Sequence, residues 1–558
     1  MEFITLLMFI RNIKMSKIPS ALKKIVRQNE IKKSSKKRRK TINYSGKPKF
    51  IIRNSFIQLL GFSNDILDEI VKNLSYHNKE AEFEKKLILK TLKYVAYCKK
   101  NNTVPNWIIK RCNQLHMNLN EYYQHLKIKL NKAKDAENVC LLDEDGYFPT
   151  GLFYNVIETL KNGFKELKVE VDDLRAIPEQ KVRFKWKSEP FMPRYYQEDM
   201  RKLAKEHERG VFESCVGSGK TLIMANIVFD KRVNVMIVLP SKALLNQTYN
   251  VFSKLFGKTK VQKLSSEKIK KGIKLAPIRL ITIQSLASLQ KNNIVKKLTQ
   301  NIDMVMIDEI HHSGSKTYQD LMSEIDHVYY RYGFTGTFLR NDSKTMNMHG
   351  FLSHVLYYYP SSKAIEDGYI TKVEFIIHQL KGKKSGNYQQ EYKNNYCGSE
   401  KILKEIAEIV RNIPENQQIL ILTKQKEGSG KLIHKFLNKL KISNTYISGD
   451  DKSNDIDYAI QKFNDKDIRI LIGTKVIGEG VDVHSTQHLI LATGGKSEVE
   501  IVQAIGRCVR LHEGKDKSYV YDFQFERTKY MEKHLEERLR IFQNQFAGEI
   551  KYAGRKDL

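Results

Sequence analysis

Apolar residues recur at intervals of three and four from about Ser55 to Leu130, in FIQLLGFSNDILDEIVKNL and again in NWIIKRCNQLHMNLNEYYQHLKIKL. That spacing lines one face of a helix and predicts a small helical domain, broken between helices at Pro105 and the polar NNT before it. From Asp145 to Arg175 the character changes. Pro149 and Gly151 precede an amphipathic helix, and KVEVDDL then alternates as a strand does, so a small α/β module is expected. From about Pro190 short apolar runs alternate with helical patterns: VNVMIVL, IRLITI and DMVMI first, then QILILT, IRILIG and HLILAT. Two such groups, divided near Ala364 to Phe375, predict an α/β fold with two doubly wound parallel-sheet domains in tandem.

The expected organisation is a basic, disordered arm over 1–50, a helical accessory domain over 51–140 and a small α/β module over 141–188. The first sheet domain follows over 189–368, the second over 369–527, and a helical tail over 528–558. Charge adds a partner to this picture. Lys and Arg number 96 against 63 Asp and Glu, a formal charge of +33 spread along the chain, which attracts polyanions, nucleic acid first among them. The run KKSSKKRRK, Lys32 to Lys40, has no apolar periodicity and reads as a disordered arm, by composition either a nuclear-localisation signal or a flexible phosphate-contacting segment.

The opening MEFITLLMFI is short, carries Glu2 where a leader would be basic, and lacks a small-residue cleavage site. Neither a signal peptide nor a membrane span is expected, Met15 is an alternative start, and the expected location is cytoplasmic. The six cysteines form no CxxC pair and no metal-ligand spacing, which argues for a reducing compartment without disulfides or structural zinc. Glu84 and Lys86 make a nuclease-like ExK, but they fall in a helical pattern where that motif needs a strand.

GSGK occurs twice, as GSGKT at Gly217 to Thr221 and as GSGKL at Gly428 to Leu432. A phosphate loop needs a strand, a glycine-rich turn with backbone N–H groups facing the phosphates, a Lys for the terminal phosphates and a hydroxyl for Mg²⁺. The first copy supplies Gly217, Ser218, Gly219, Lys220 and Thr221, and departs from the strict pattern only in carrying Ser214 for the leading glycine. The second copy has Leu432 in place of the hydroxyl and Gln425 in place of that glycine, so it reads as a loop of coincidental composition. Downstream, DMVMIDEIHH ends an apolar strand in Asp308 and Glu309. These are two carboxylates of the kind phosphoryl transfer uses, one for a magnesium shell and one to orient and deprotonate water.

In order along the chain, this set resembles the superfamily 2 helicases and translocases, over roughly Phe191 to Phe525. RYYQEDM resembles the adenine-reading motif, SCVGSGKT motif I, LPSKALLNQ motif Ia, TIQSL motif Ic, DEIH motif II, FTGT motif III, TKVIGEGVD motif V and QAIGRCVR motif VI. DEIHH, YYQ, EGVD and IGR look most like the branch holding the XPB-type and phage UvsW-type DNA helicases. The resemblance implies two RecA-like motor domains, ATP and Mg²⁺ as cofactors, and a nucleic acid as the track.

It also implies roles for residues. Gln197 would read adenine, and Thr221 and Asp308 would hold the metal. Gln503, Arg507 and Arg510 would reach the nucleotide from the second domain, with Gly480 and Asp482 at the domain interface. His311, Thr335 and Thr337 would couple the ATP site to motifs III and VI, with His312 a packing neighbour of His311. Pro240, Thr282, Gln284 and Thr474 would contact the backbone of a tracked strand. Motif III departs from its relatives' TAT-Pro, reading Thr335, Gly336, Thr337, Phe338, and the following turn loses the constraint of a proline. The expectation is an ATP-dependent DNA helicase or translocase on duplex or branched DNA in replication, recombination or repair. An RNA helicase and the motor of a restriction or defence complex, partnered through the helical N-terminal domain, remain open.

Overall fold

In the computed structural model, residues 46–188, 192–264, 274–290, 295–310, 325–336, 343–474, 483, 486–512 and 515–553 are described. The basic arm over Lys32 to Lys40 therefore lies outside the described residues. The chain divides into two units: Met1–Pro178 with Ser313–Arg331 and Leu339–His354, and Glu179–His312 with Tyr332–Phe338 and Val355–Leu558.

The first unit is built on strands β1 (Lys49–Ile52) and β2 (Phe56–Leu60), helices α1 (Asn64–Asn73), α2 (Lys79–Asn101), α3 (Asn106–Gln114) and α4 (Leu119–Asp135), and α5 (Phe153–Gly163). Short strands β3 (Ser75–His77) and β4 (Asn138–Cys140) pair antiparallel, Ser75 opposite Cys140, and close the base of the α2–α4 excursion. With β5 (Tyr147–Pro149) and β6 (Glu170–Asp173), the first two strands form a sheet of order β5-β2-β1-β6. This corrects the reading of the region after Ser55 as wholly helical. FIQLL alternates, with Ile57 and Leu59 inward, and Gly61 at φ +72° ends the strand before the helical period begins. The β1–β2 hairpin therefore joins the small α/β module, and the helices α2–α4 are inserted within it.

The sheet's core is Phe50, Ile52, Ile57, Leu59 and Phe148 under Ile66 and Ile70 of α1 and Val156 and Leu160 of α5. Gly151 is required there, since a Cβ on it would stand 2.0 Å from the carbonyl oxygen of His349 in the helix Ser343–Leu352. Arg331, with no exposed surface, donates to the Ser55 hydroxyl at 2.7 Å and to the carbonyls of Val328 and Ile325 at 3.1 Å each.

The second unit holds the two parallel sheets that the apolar runs predict. Strands β7 (Arg209–Ser214), β8 (Val235–Leu239), β9 (Val261–Lys263), β10 (Ile278–Thr282), β11 (Met304–Asp308), β12 (Tyr330–Thr335) and β13 (Val355–Tyr359) form one of order β13-β7-β12-β11-β8-β10-β9. β14 (Lys372–Lys381), β15 (Ile419–Thr423), β16 (Thr445–Ile447), β17 (Ile470–Gly473), β18 (His488–Ala492), β19 (Lys517–Glu526) and β20 (Glu549–Ala553) form the other. Its order is β16-β17-β15-β18-β19-β14-β20, parallel throughout. β8, β10, β11 and β15 are buried at every position, which is why they read as continuous apolar runs.

Four helices carry the argument below: α6 (Tyr195–Glu206), α7 (Lys220–Lys231), α8 (Glu498–Cys508) and α9 (Tyr530–Phe546). The C-terminal tail is not helical alone, because after α9 the chain returns as β20 to cover the edge of β14. α9 is anchored by Arg538, which is buried and forked onto Asp522 of β19 at 2.6 and 3.0 Å.

Candidate nucleotide site

β7 is buried along its length and ends in the loop Cys215 to Gly219, which opens α7. Gly217 and Gly219 lie at φ +86° and +80°, a left-handed backbone that only glycine adopts without cost, and it turns the loop toward the first turn of α7. Ser214, where the strict pattern has glycine, needs no such freedom. Its hydroxyl accepts from the Ser218 hydroxyl at 2.9 Å, and both side chains are buried, so the departure is filled by a bond that braces the loop.

The second GSGK behaves differently. Gly430 is helical, at φ −57°, in a wide turn at Lys426–Gly430, and Lys431 pairs with Glu427 on the surface. Gly430 is there for space, because a Cβ would fall 2.5 Å from the Tyr446 ring.

Around the first loop the predicted residues converge. Lys220 Nζ lies 3.5 Å from the Ser214 carbonyl oxygen and 3.8 Å from Glu309 Oε1. β11 delivers Asp308, 4% exposed, whose Oδ1 accepts from the Glu309 N–H at 3.1 Å. Glu309 itself sits at φ +52°, a conformation that costs a non-glycine residue about 1–3 kcal/mol and that turns its side chain off the strand line. Thr335, fully buried, ends β12, and Gly336 follows it over the loop. A Cβ on Gly336 would lie 3.1 Å from Lys220 Nζ and 3.3 Å from Val216 Cγ2. The glycine in this motif III is thus a close-approach residue.

Gln197 on α6 is buried and does not stand alone. Its Oε1 accepts from the Arg194 N–H at 3.0 Å, and its Nε2 donates to the Ser218 carbonyl at 2.7 Å, the same oxygen that receives the Tyr196 hydroxyl at 2.8 Å. One amide N–H remains for another acceptor. The Tyr196 ring stacks on Tyr359 with centroids 3.9 Å apart, and the Arg194 guanidinium lies over Tyr369 at 4.2 Å.

The second sheet domain reaches this loop through α8. Gly506 faces Val216 so closely that a Cβ would stand 2.4 Å from the valine Cβ. Gly217 faces Ile370 and Arg510 at ordinary contact distance, and Ile370 and Arg510 are bridged as an antiparallel pair. Arg507 is 6% exposed, Gln503 half-buried, and burial pushes the Arg510 guanidinium down to about 10, which leaves it cationic at neutral pH.

A buried polar knot holds the end of α8. Lys515 Nζ donates to the carbonyls of Thr486 at 2.6 Å, Arg510 at 3.1 Å and Cys508. The Ser518 hydroxyl donates to the Cys508 carbonyl at 2.6 Å and meets the Thr371 hydroxyl at 2.6 Å, while the Thr371 N–H donates to the Val509 carbonyl at 2.8 Å. Neither Lys515 nor Thr371 was singled out by sequence, since neither lies in a motif. Gly506 carried a signal, a glycine inside a helical pattern.

Pro240, Thr282 and Gln284 come together at the adjoining ends of β8 and β10, where Gln284 Nε2 donates to the Pro240 carbonyl at 3.1 Å and Thr282 pairs with Leu239. Thr282 also accepts from the Ser285 N–H at 3.2 Å, and Thr474 is buried just after β17. His311, Thr337, Gly480 and Asp482 lie outside the described residues.

Two families match the chain. Residues 190–340 match the family described as type III restriction enzyme, res subunit, and residues 399–512 match the helicase conserved C-terminal domain. A curated relative, "Putative helicase 22" of Sulfolobus islandicus filamentous virus, is 24% identical over 364 residues, covering 61% of this chain and 65% of its own. The ATP-dependent DNA helicase uvsW of Enterobacteria phage T4 is 25% identical over 350 residues, covering 59% and 68%. The chain thus spans under two thirds of the length of the viral relative. Among solved structures, a fragment described as an HsdR subunit of a type I restriction enzyme from Vibrio vulnificus YJ016 superposes with a TM-score of 0.50 at 18% identity. It covers 64% of this chain and 68% of that one, and shares the fold.

Proposed function

The chain belongs to superfamily 2 of the helicases, and from that premise we propose that it is an ATP-driven helicase or translocase that moves on DNA, duplex or branched. The observation that carries the reading is the composite site: Lys220 faces Glu309 under Gly336, while Gly506 of the second sheet domain rests on Val216 of the same loop. Lys220 and the first-turn N–H groups of α7 hold the terminal phosphates of ATP. The Thr221 hydroxyl and Asp308 carboxylate are an oxygen-only donor pair that suits Mg²⁺, which when bound neutralises phosphate charge. Glu309 orients the attacking water and takes its proton.

Arg507 and Arg510 arrive from the other domain and stabilise the charge that develops at the γ-phosphate, so hydrolysis requires closure and closure reports ATP. Gln197, already fixed to the Ser218 carbonyl, directs its remaining N–H at the base and links base recognition to the loop. Pro240, Thr282, Gln284 and Thr474 line the track and touch phosphate, and the formal charge of +33 supports a broad phosphate footprint. The phage relative, named as an ATP-dependent DNA helicase, supports DNA as the polymer. Among the described residues no helix is long and apolar enough to cross a membrane.

Steady-state ATP hydrolysis across matched single-stranded, duplex and four-way DNA and RNA tests the proposal. Branched or duplex DNA should stimulate turnover, and Lys220→Ala should abolish it. Stimulation by RNA alone would move the protein to the RNA helicases, and stimulated turnover surviving in Lys220→Ala would remove the site assignment.

A further inference from the structure

Helix α2 carries two apolar stripes, and only one of them is used by the fold. Ala81, Ile88, Leu92, Val95 and Cys98 are buried and pack toward Tyr122, Leu126, Leu130 and Ala133 of α4. Phe83, Leu87, Tyr94 and Tyr97 recur at the same helical spacing, yet they are 70, 56, 43 and 62% exposed. Trp107 of α3, 51% exposed, extends this second stripe, its ring stacked on Tyr94 with centroids 5.9 Å apart and planes at 18°. Lys90 and Lys93 join Leu87, Tyr94, Tyr97 and Trp107 around a shallow groove of about 570 Å³. A contiguous apolar patch of this kind on a folded protein marks a binding surface.

Charge selects the occupant. From Lys85 to Asn120 the chain holds seven lysines and one arginine and no carboxylate. Lys85 and Lys86 pair with Glu137 and Glu82, which are at one end of the excursion, while Lys90 and Lys93 flank the rings. Exposed aromatic faces interleaved with cations fit unstacked bases on a phosphate backbone, whereas a duplex keeps its base faces covered.

We propose that this face of α2 and α3 is a second nucleic-acid site, a platform for single strands in which bases stack on Trp107, Tyr94 and Tyr97 and phosphates meet Lys90 and Lys93. It shares no residue with the candidate motor track or with the candidate ATP site. Held there, a displaced strand would be kept from re-pairing.

The chain has two tryptophans, and Trp186 lies against Phe229 and Phe256 at 4.4 and 5.0 Å, so Trp186→Phe keeps an aromatic ring in place and isolates Trp107. Titrating the full-length single-tryptophan variant with a twenty-nucleotide oligo(dT), without nucleotide, should quench its emission saturably, with affinity falling steeply as salt rises. Lys90→Ala with Lys93→Ala, or Tyr97→Ala, should weaken that binding by about tenfold each. These positions are at the groove surface, and Trp107→Phe in the otherwise natural chain gives the same answer by loss of quenching if Trp186→Phe does not fold. Absence of quenching, equal quenching by a blunt duplex, or unchanged affinity in both variants would overturn the platform. DNA-stimulated hydrolysis measured on the same proteins separates the two ideas. Quenching without stimulation sinks the motor assignment alone, and stimulation without quenching sinks the platform alone.

Discussion

Gly506→Ala is the sharpest perturbation of the composite site. The substituted Cβ would lie 2.4 Å from Val216 Cβ, 2.5 Å from Cγ1 and 2.8 Å from Cγ2. Carbon atoms settle at about 3.5–4.0 Å, so α8 and the phosphate loop must separate by about 1 Å. The helix itself does not suffer, since alanine is favoured over glycine in a helix interior by about 1 kcal/mol. The cost therefore falls on closure. A displacement of about 1 Å at reacting groups costs on the order of 10²-fold in rate, or roughly 2.7 kcal/mol in barrier height. Stopped-assay ATP turnover at saturating DNA should fall by about that factor, with ADP affinity, measured by titration, changing less than about threefold because the loop's own contacts remain. Rescue is specific: Val216→Gly removes the clashing Cβ and should recover most of the loss, whereas Val216→Ala retains it and should not. A single variant within threefold of the natural rate, or equal rescue by alanine and glycine, would refute the packing argument.

Two further outcomes follow from buried charge and polarity in the second sheet domain. Lys515→Met takes the donor from the Thr486 and Arg510 carbonyls at the end of α8, each such loss costing about 1–3 kcal/mol when buried. Denaturant midpoints should fall, and kcat should drop about tenfold with KM for ATP little changed. His488, 4% exposed and bonded to Tyr521 and Gln417, is pushed down to about 4 by burial, with Lys515 and Arg469 adding to the effect. The unfolded chain takes up that proton near 6.5 and the folded chain near 4, so stability present at pH 7 is lost as pH falls between them. That loss is about 2 kcal/mol at pH 5, and His488→Gln should remove this share of the acid slope in urea titrations.

Much of the candidate nucleotide site was legible in the chain because phosphate chemistry fixes residue types at fixed spacings. Lys220, Asp308 and Glu309 stand out by residue type and spacing and come together in the fold, and the apolar runs marked the parallel strands for the same reason that all their positions are buried. Phe56–Leu60 was misread because five residues are too few for an alternating period to stand out beside the helical pattern that follows. The second stripe on α2 falls inside the span of three-and-four spacing, and that spacing alone does not separate it from the first. Periodicity shows that residues share a face, and only the packing of α4 shows which face is covered. Lys515 gave no sign, since the carbonyls of Cys508 and Arg510 just before it and of Thr486 farther back converge on its Nζ only in the folded chain.

The glycines show most clearly what the motifs encode beyond reactive groups. Gly219 leaves room for Gln197, whose Nε2 would lie 2.6 Å from a Cβ there; Gly336 leaves room for Lys220 and Val216; Gly506 leaves room for Val216 again. Four chain segments, α6, the end of β12, α8 and the loop itself, thus crowd one turn of backbone, each at a distance a methyl group would deny. Packing at such density responds to displacement in steps and not by gradual yielding. A displacement of the loop must therefore move α8 with it, and α8 carries Arg507 and adjoins Arg510. If hydrolysis is coupled to domain movement as proposed, that coupling rests on excluded volume at Val216 as much as on the charge of the arginines, which is why a single methyl at Gly506 is expected to act like the loss of a charged group.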